Sequence, residues 1–283
     1  MAKKLKSDPI GQDDLIEFID GHSDFAFELR CLERLSRMEF RCEHAGFYTD
    51  PVTGKMRQFD IRARKGMNGR LILCAIECKN LSEGFPLLVI CTPRSQIESF
   101  HDLITSYHPN FVDQGNMSVR AFEKICEQTR IGPGQSPYRM GEAVGKSWQQ
   151  VGRDEKGNLV TSDSELFEKW SQAVASAQDL LDEATKVGMQ NRLEIATLVL
   201  PVLVVPDGAL WEVQFESDGT RKTKPIQTNR CSFFLGRECR AGDNLQGIDF
   251  TLSHLEFVTF TGLKELLTEI KAEDRLRPKW FRQ

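Results

Sequence analysis

Glu77 and Lys79 close the apolar stretch LILCAIECK at residues 71–79. The stretch reads as a short buried strand, with a glycine-containing turn before it (66–69) and a polar break after it at Asn80, Ser82 and Gly84. Side chains alternate along a strand, so Glu77 and Lys79 share a face with Leu71, Leu73 and Ala75, while Ile72, Cys74, Ile76 and Cys78 line the other. A carboxylate and an amine thus emerge side by side from a buried strand. Burying either is costly unless it is paired or holds a metal. A terminal salt bridge is the plain reading, and a site that handles a charged substrate is the other. The same acid-x-Lys pattern recurs at Asp154-Glu155-Lys156, in a polar turn, and at Glu269-Ile270-Lys271, in a helical stretch. Only Glu77-Cys78-Lys79 ends an apolar strand.

The elements upstream supply more acids. Residues 11–20 suggest a short amphipathic helix with Leu15, Ile16 and Ile19 as its apolar side. After Gly21 and His22, Ser23 or Asp24 can cap a longer helix running to about Met38. Its expected buried stripe is Phe25, Leu32, Leu35 and Met38, with Leu29 and Cys31 at the margins, and at 100° per residue Glu28 falls near the middle. A core-facing glutamate is a misfit of the kind that marks sites, unless it reaches solvent or pairs with an arginine. Two strands follow, 41–48 and 56–64, joined by the turn at 50–54. On the second, Gln58, Asp60, Arg62 and Arg64 share a face, and a meander brings Asp60 near Glu77.

A helix with an inward Glu28, a hairpin, Asp60 on the second strand and Glu77-x-Lys79 on the third resembles the PD-(D/E)XK nuclease superfamily, the restriction-endonuclease-like fold. The likeness is carried by residues 23–80 and beyond them only by element order. Phe59 stands where that family often has proline. The resemblance implies a restriction-endonuclease-like αβββαβ core: a mixed central sheet flanked by helices. It implies a divalent ion, Mg2+ or Mn2+, held by Asp60, Glu77 and the backbone carbonyl of Cys78, with Glu28 on a second ion or in the outer shell. Hard oxygen donors suit those ions better than zinc. Lys79 would orient the attacking water or neutralise the phosphate in the transition state. The implied reaction is phosphodiester hydrolysis leaving 5′-phosphate ends, by a DNA endonuclease of the kind used in restriction or antiviral defence. Many members of the superfamily act as homodimers, and a defence role brings partner proteins. No dimerisation signal is legible here. Candidate substrate contacts are Arg62 and Arg64 on the Asp60 face, Arg94 after a strand end, and Gln172, where similar nucleases often carry a glutamine. Two other readings stand beside this one: a catalytically inactive nuclease-like module for nucleic-acid binding or assembly, and a structural ion-pair network in an unrelated α/β protein.

Downstream, residues 87–92 read as a strand and 95–106 as a helix. Residues 108–160 are rich in Gly and Pro without sustained period, and read as an insertion packed over or beside the core. Within it GEAVGKS (141–147) falls one residue short of a phosphate-binding loop and lacks a preceding apolar strand. Residues 164–187 form the clearest helix, buried through Leu166, Trp170, Ala173, Ala177, Leu180 and Ala184. The run 198–205 reads as a buried strand, 210–216 as a return, 257–260 as a further strand and 262–273 as a closing helix. Residues 1–283 are expected to form a single nuclease-like domain: core about 11–107 and 163–273, insertion 108–160, and a basic tail 274–283. Arg275, Arg277, Lys279 and Arg282 surround Trp280 and Phe281 in that tail, which reads as solvated.

Composition is that of an ordinary globular chain, with 40% hydrophobic and 28% charged residues. A net charge of −4 gives no global pull toward nucleic acid, so such binding needs a local basic surface. None of the eight cysteines has C-x-x-C spacing, which points to buried reduced thiols instead of zinc or disulfides. The basic N-terminus lacks the apolar core of a signal peptide, and the run 198–205, interrupted by Pro201, is too short to span a bilayer. A cytoplasmic location, with no membrane association, follows as the expectation.

Overall fold

The computed structural model describes residues 8–82, 84–107, 126–162, 164–191, 194–242, 247–272 and 280–281. The elements run α1 (Gln12–His22), α2 (Phe25–Arg37), β1 (Arg41–His44), β2 (Phe47–Thr49), β3 (Met56–Gln58), β4 (Ile61–Met67), β5 (Arg70–Cys78) and β6 (Leu87–Pro93). A 3-10 turn at Gln96–Glu98 leads to β7 (His101–Ser106), β8 (Cys126–Ile131), β9 (Ala143–Arg153), β10 (Leu159–Thr161) and α3 (Ser164–Asn191). The chain continues through β11 (Ile195–Val205), β12 (Leu210–Gln214), β13 (Ile226–Gln227), β14 (Arg230–Ala241), β15 (Ile248–Thr259) and α4 (Phe260–Ala272).

This is an α/β fold: one large mixed sheet, flanked by helices, ordered β1-β4-β5-β11-β15-β14-β9-β6-β12-β13. β4 lies antiparallel to β1 and β5, whereas β5, β11 and β15 run parallel. The alternation in β5 decides the layers. Leu71, Leu73 and Ala75 join the cluster under α3, with Ala173, Ala177 and Ala184 from the helix, whose small side chains let it lie close to the sheet. Ile72, Cys74, Ile76 and Cys78 join the opposite cluster, with Phe27, Cys31 and Leu35 of α2 and Leu263, Leu266 and Ile270 of α4. Glu77 therefore faces the α3 side, fully buried.

Several expectations need correction. The stripe of α2 is Phe27, Cys31 and Leu35, while Phe25 is 57% exposed and Leu29 42%. That rotation moves Glu28 from the centre of the stripe to its margin, because the helix is set by its contacts with β5 and α4. The expected strand 56–64 is broken at Phe59 and Asp60: β3 pairs only with β2, and β4 starts a new ladder on β1 and β5. Residues 95–106 form not a helix but the 3-10 turn and β7. There, pairing with β8 and β11 outweighs local helix preference. The stretch read as an insertion joins the main sheet in its described part, through β8 on β7 and through β9 between β6 and β14. Its weak periodicity reflects strands whose two faces are unevenly covered. Residues 143–147 of the GEAVGKS segment are strand, and Lys146 pairs with Glu98. β14, unread in the sequence, is a twelve-residue neighbour of β15. Of the tail read as solvated, Trp280 is fully buried and Phe281 nearly so, both in the α2/α4 cluster; Arg275, Arg277, Lys279 and Arg282 lie outside the described residues.

Candidate active site

Asp60 occupies the bend between β3 and β4, where the backbone leaves one ladder for the next. Its carbonyl accepts the Ala45 N–H at 2.9 Å. Its Oδ2 accepts the Cys78 N–H at 2.8 Å, and its own N–H donates to Glu77 Oε1 at 3.4 Å. Neighbouring strands thereby set the two carboxylates side by side. Glu77 is 0% exposed. Burial, reinforced by the adjacent Asp60, raises its carboxyl well above the usual range, against the pull of Lys169.

Lys169, which sequence reading missed, completes the group. Its ammonium donates to Asp60 at 2.7 Å (Oδ1) and 2.6 Å (Oδ2) and to Glu77 Oε2 at 3.4 Å. The residue stands on α3 three positions after Leu166 and four before Ala173, so it points where that helix buries its apolar stripe. That misfit was the available signal: a lysine within an apolar helical stripe needs a buried acid opposite it. Burial weakens the ammonium's hold on its proton, but Glu77 and Asp60 outweigh it and keep the group above its ordinary range.

Lys79 shares the cleft but points elsewhere. Its ammonium lies 3.2 Å from Asp24 Oδ2 and 3.1 Å from Glu165 Oε2. Asp24 also accepts the Asn80 N–H at 2.7 Å, which ties the start of α2 to the end of β5. Glu28 hydrogen-bonds His44 Nε2 at 3.1 Å. Burial and then the nearby Asp60 raise its carboxyl, and His44 and Lys169 oppose this in part. A cleft of about 300 Å³ opens over the group, lined by Asp24, Gln58, Asp60, Lys79, Lys169 and Gln172 among others.

Of the arginines read as substrate contacts, Arg62 and Arg64 are committed along α3. Arg62 pairs with Asp179 at 2.8 Å, bonds Ser176 and lies over the Phe59 ring; Arg64 pairs with Glu183 at 2.9 Å. Arg94 is buried at a different cavity, of about 340 Å³, bonded to the Arg139 and Ala143 carbonyls and the Ser232 hydroxyl. Gln172 alone of these four lines the Asp60 cleft. None of the eight cysteines forms a disulfide. Cys91 and Cys231, with sulfurs 3.5 Å apart, gather with Glu212 into a separate set of ligand atoms within 4.8 Å of one another. Its two soft sulfurs distinguish it from the all-oxygen pair at Asp60 and Glu77.

The chain matches no family model, no curated protein and no solved structure.

Proposed function

We propose that the protein is a metal-dependent nuclease that hydrolyses phosphodiester bonds, with DNA as substrate, acting as an endonuclease in restriction or defence against foreign DNA. The observation that carries this reading is that the carboxylates of Asp60, in the bend before β4, and Glu77, on β5, converge on one cation, the Lys169 ammonium. The order α2, β1, β4, β5, α3, β11, with β11 parallel to β5, supports a restriction-endonuclease-like core.

The residues fit a Mg2+ or Mn2+ ion: two hard carboxylates already surround a positive charge, and no thiol or imidazole is among the groups bonded to it. Asp60 and Glu77 would hold the ion, with the Cys78 carbonyl as the further ligand that the family resemblance suggests. When bound, it would supply Lewis-acid stabilisation of the phosphate and a more acidic water. The chain's own groups do the rest. The Cys78 amide fixes the Asp60 carboxylate, and the Asp60 amide fixes Glu77. Lys79, at the rim, orients water or meets the negative phosphate after leaving Glu165, a partner that is itself 77% exposed. Glu28 and His44 form an outer pair close enough to Asp60 to feel its charge.

A binding or assembly module without catalysis is the second reading; it is favoured by the engagement of both ammonium groups in ion pairs. No helix among the described residues is long and apolar enough to cross a membrane, and a cytoplasmic location belongs to the same proposal. Incubation of linear, circular and single-stranded DNA, and of RNA, with protein and Mg2+ or Mn2+ tests it. Wild type should nick or degrade DNA, and Asp60→Asn, Glu77→Gln and Lys79→Ala should not while remaining folded. Identical behaviour of wild type and all three variants on every substrate would remove the enzymatic reading.

A further inference from the structure

The charges around Lys169 do not balance. Asp60 and Glu77 present two carboxylates to one ammonium, and Glu28 adds a third acid within electrostatic range of Asp60 and Lys169. A divalent ion would neutralise the pair in full. It and the ammonium would need the same oxygens, because Lys169 spans both oxygens of Asp60 and reaches Glu77 as well.

We propose that Lys169 is a tethered counter-ion that competes with the divalent metal for Asp60 and Glu77 and moves out when the metal enters. This deepens the nuclease reading and rests on it in taking the carboxylate pair as the metal site.

Three features support an exchange in place of a permanent salt bridge. The lysine comes from α3, whereas Glu77 comes from β5 and Asp60 from the bend before β4, so the lysine can leave without breaking a strand ladder. The side chain is 18% exposed and lines the open cleft, which gives the displaced ammonium a place to go. The cleft also contains Glu168 and Gln172, one residue before and three after Lys169, as polar neighbours. Without Lys169 the folded metal-free protein would hold two adjacent carboxylates with no cation between them, and nothing would offset the burial of two like charges. Lys169 therefore keeps the site assembled before metal arrives, at the expense of metal affinity. By the same logic, a nucleic-acid phosphate able to receive the displaced ammonium would favour metal entry, and the two would bind cooperatively.

The test is a Mn2+ titration of the folded protein without nucleic acid, with free ion followed by its electron paramagnetic resonance signal. Lys169→Met should bind Mn2+ about tenfold or more tightly than wild type, since a unit charge competing at contact distance is gone. Lys169→Arg, which keeps the charge, should stay near wild type, and Lys169→Met combined with Asp60→Asn should lose the gain. A second measurement on wild type guards against misfolding of the variants. With 15N-labelled lysines and Mg2+, the Lys169 side-chain resonance, assigned by its absence from Lys169→Gln, should shift on saturation. Equal Mn2+ affinities in wild type and Lys169→Met, or binding by neither, would overturn the proposal, as would a Lys169 resonance unmoved by saturating Mg2+. The nuclease reading is judged separately: wild type that cleaves DNA, with equal affinities in the titration, keeps the nuclease and discards the competition.

Discussion

The backbone amide of Cys78 donates a 2.8 Å hydrogen bond to the carboxylate of Asp60. A residue outside β5 is thus fixed by the last amide of β5, and the Glu77 side chain beside it is held in turn by the Asp60 amide. The cross-strand hydrogen bonds, more than the sequence spacing of the two acids, define the site.

This link separates two substitutions at one position. Both Asp60→Asn and Asp60→Ala remove the charge paired with Lys169, but Asp60→Asn keeps an oxygen for the Cys78 amide. Asp60→Ala leaves that buried amide unpaired and should cost about 1–3 kcal/mol more than Asp60→Asn. Urea unfolding of the two variants checks this, and equal midpoints would show that the bond contributes nothing net.

Asp24 joins α2 to the end of β5 through the Asn80 amide and the Lys79 ammonium, at 2.7 and 3.2 Å. Asp24→Ala is expected to destabilise the fold by about 1–2 kcal/mol. It should also raise hydrogen exchange at residues 79–81 and in the first turn of α2. Destabilisation without that local pattern would place the role of Asp24 elsewhere.

Stability should fall on the acid side of neutrality. Burial, only partly opposed by the bond to the Trp280 carbonyl and by Asp102, pushes His101 down to about 4. Burial also pushes His254 down, helped by the neighbouring Arg94, His101, Arg230 and Lys146 charges. Between pH 6.5 and 4 the unfolded chain takes up protons that the folded protein refuses, so stability declines as pH drops through that window. His101 alone accounts for about 3 kcal/mol by pH 4. Neither ring nitrogen of His254 has a hydrogen-bond partner among the described residues, and its ring stacks on Tyr138 at 3.7 Å. His254→Phe should therefore raise stability at neutral pH and flatten the acid limb; denaturant midpoints at pH 5 and 7.5 give both readouts.

Arg62, paired with Asp179 and lying over Phe59, should behave as a structural residue. Arg62→Gln is expected to lower stability by about 1 kcal/mol while leaving the salt dependence of DNA binding unchanged. A slope reduced by about one unit would instead assign it a phosphate contact.

Much of this arrangement was legible in the linear chain, because strand alternation and helix periodicity are local properties. They placed Leu71, Leu73 and Ala75 opposite Ile72, Cys74, Ile76 and Cys78, marked α3 by its leucine and alanine stripe, and put Asp60 in reach of Glu77. What local patterns could not reveal was decided by pairing between distant segments. β7 and β9 are strands because β11, β8, β6 and β14 offer them backbone partners. Likewise, Lys169 meets Asp60 across 109 positions of sequence because α3 lies across the end of β5. Lys79, two residues from Glu77, turns instead to Asp24 and Glu165. Sequence supplied the acids and the strand that carries Glu77; the packing of α3 on the sheet chose which amine neutralises them. Buried charges pair with whatever opposite charge the packed elements bring within reach, whatever the separation along the chain.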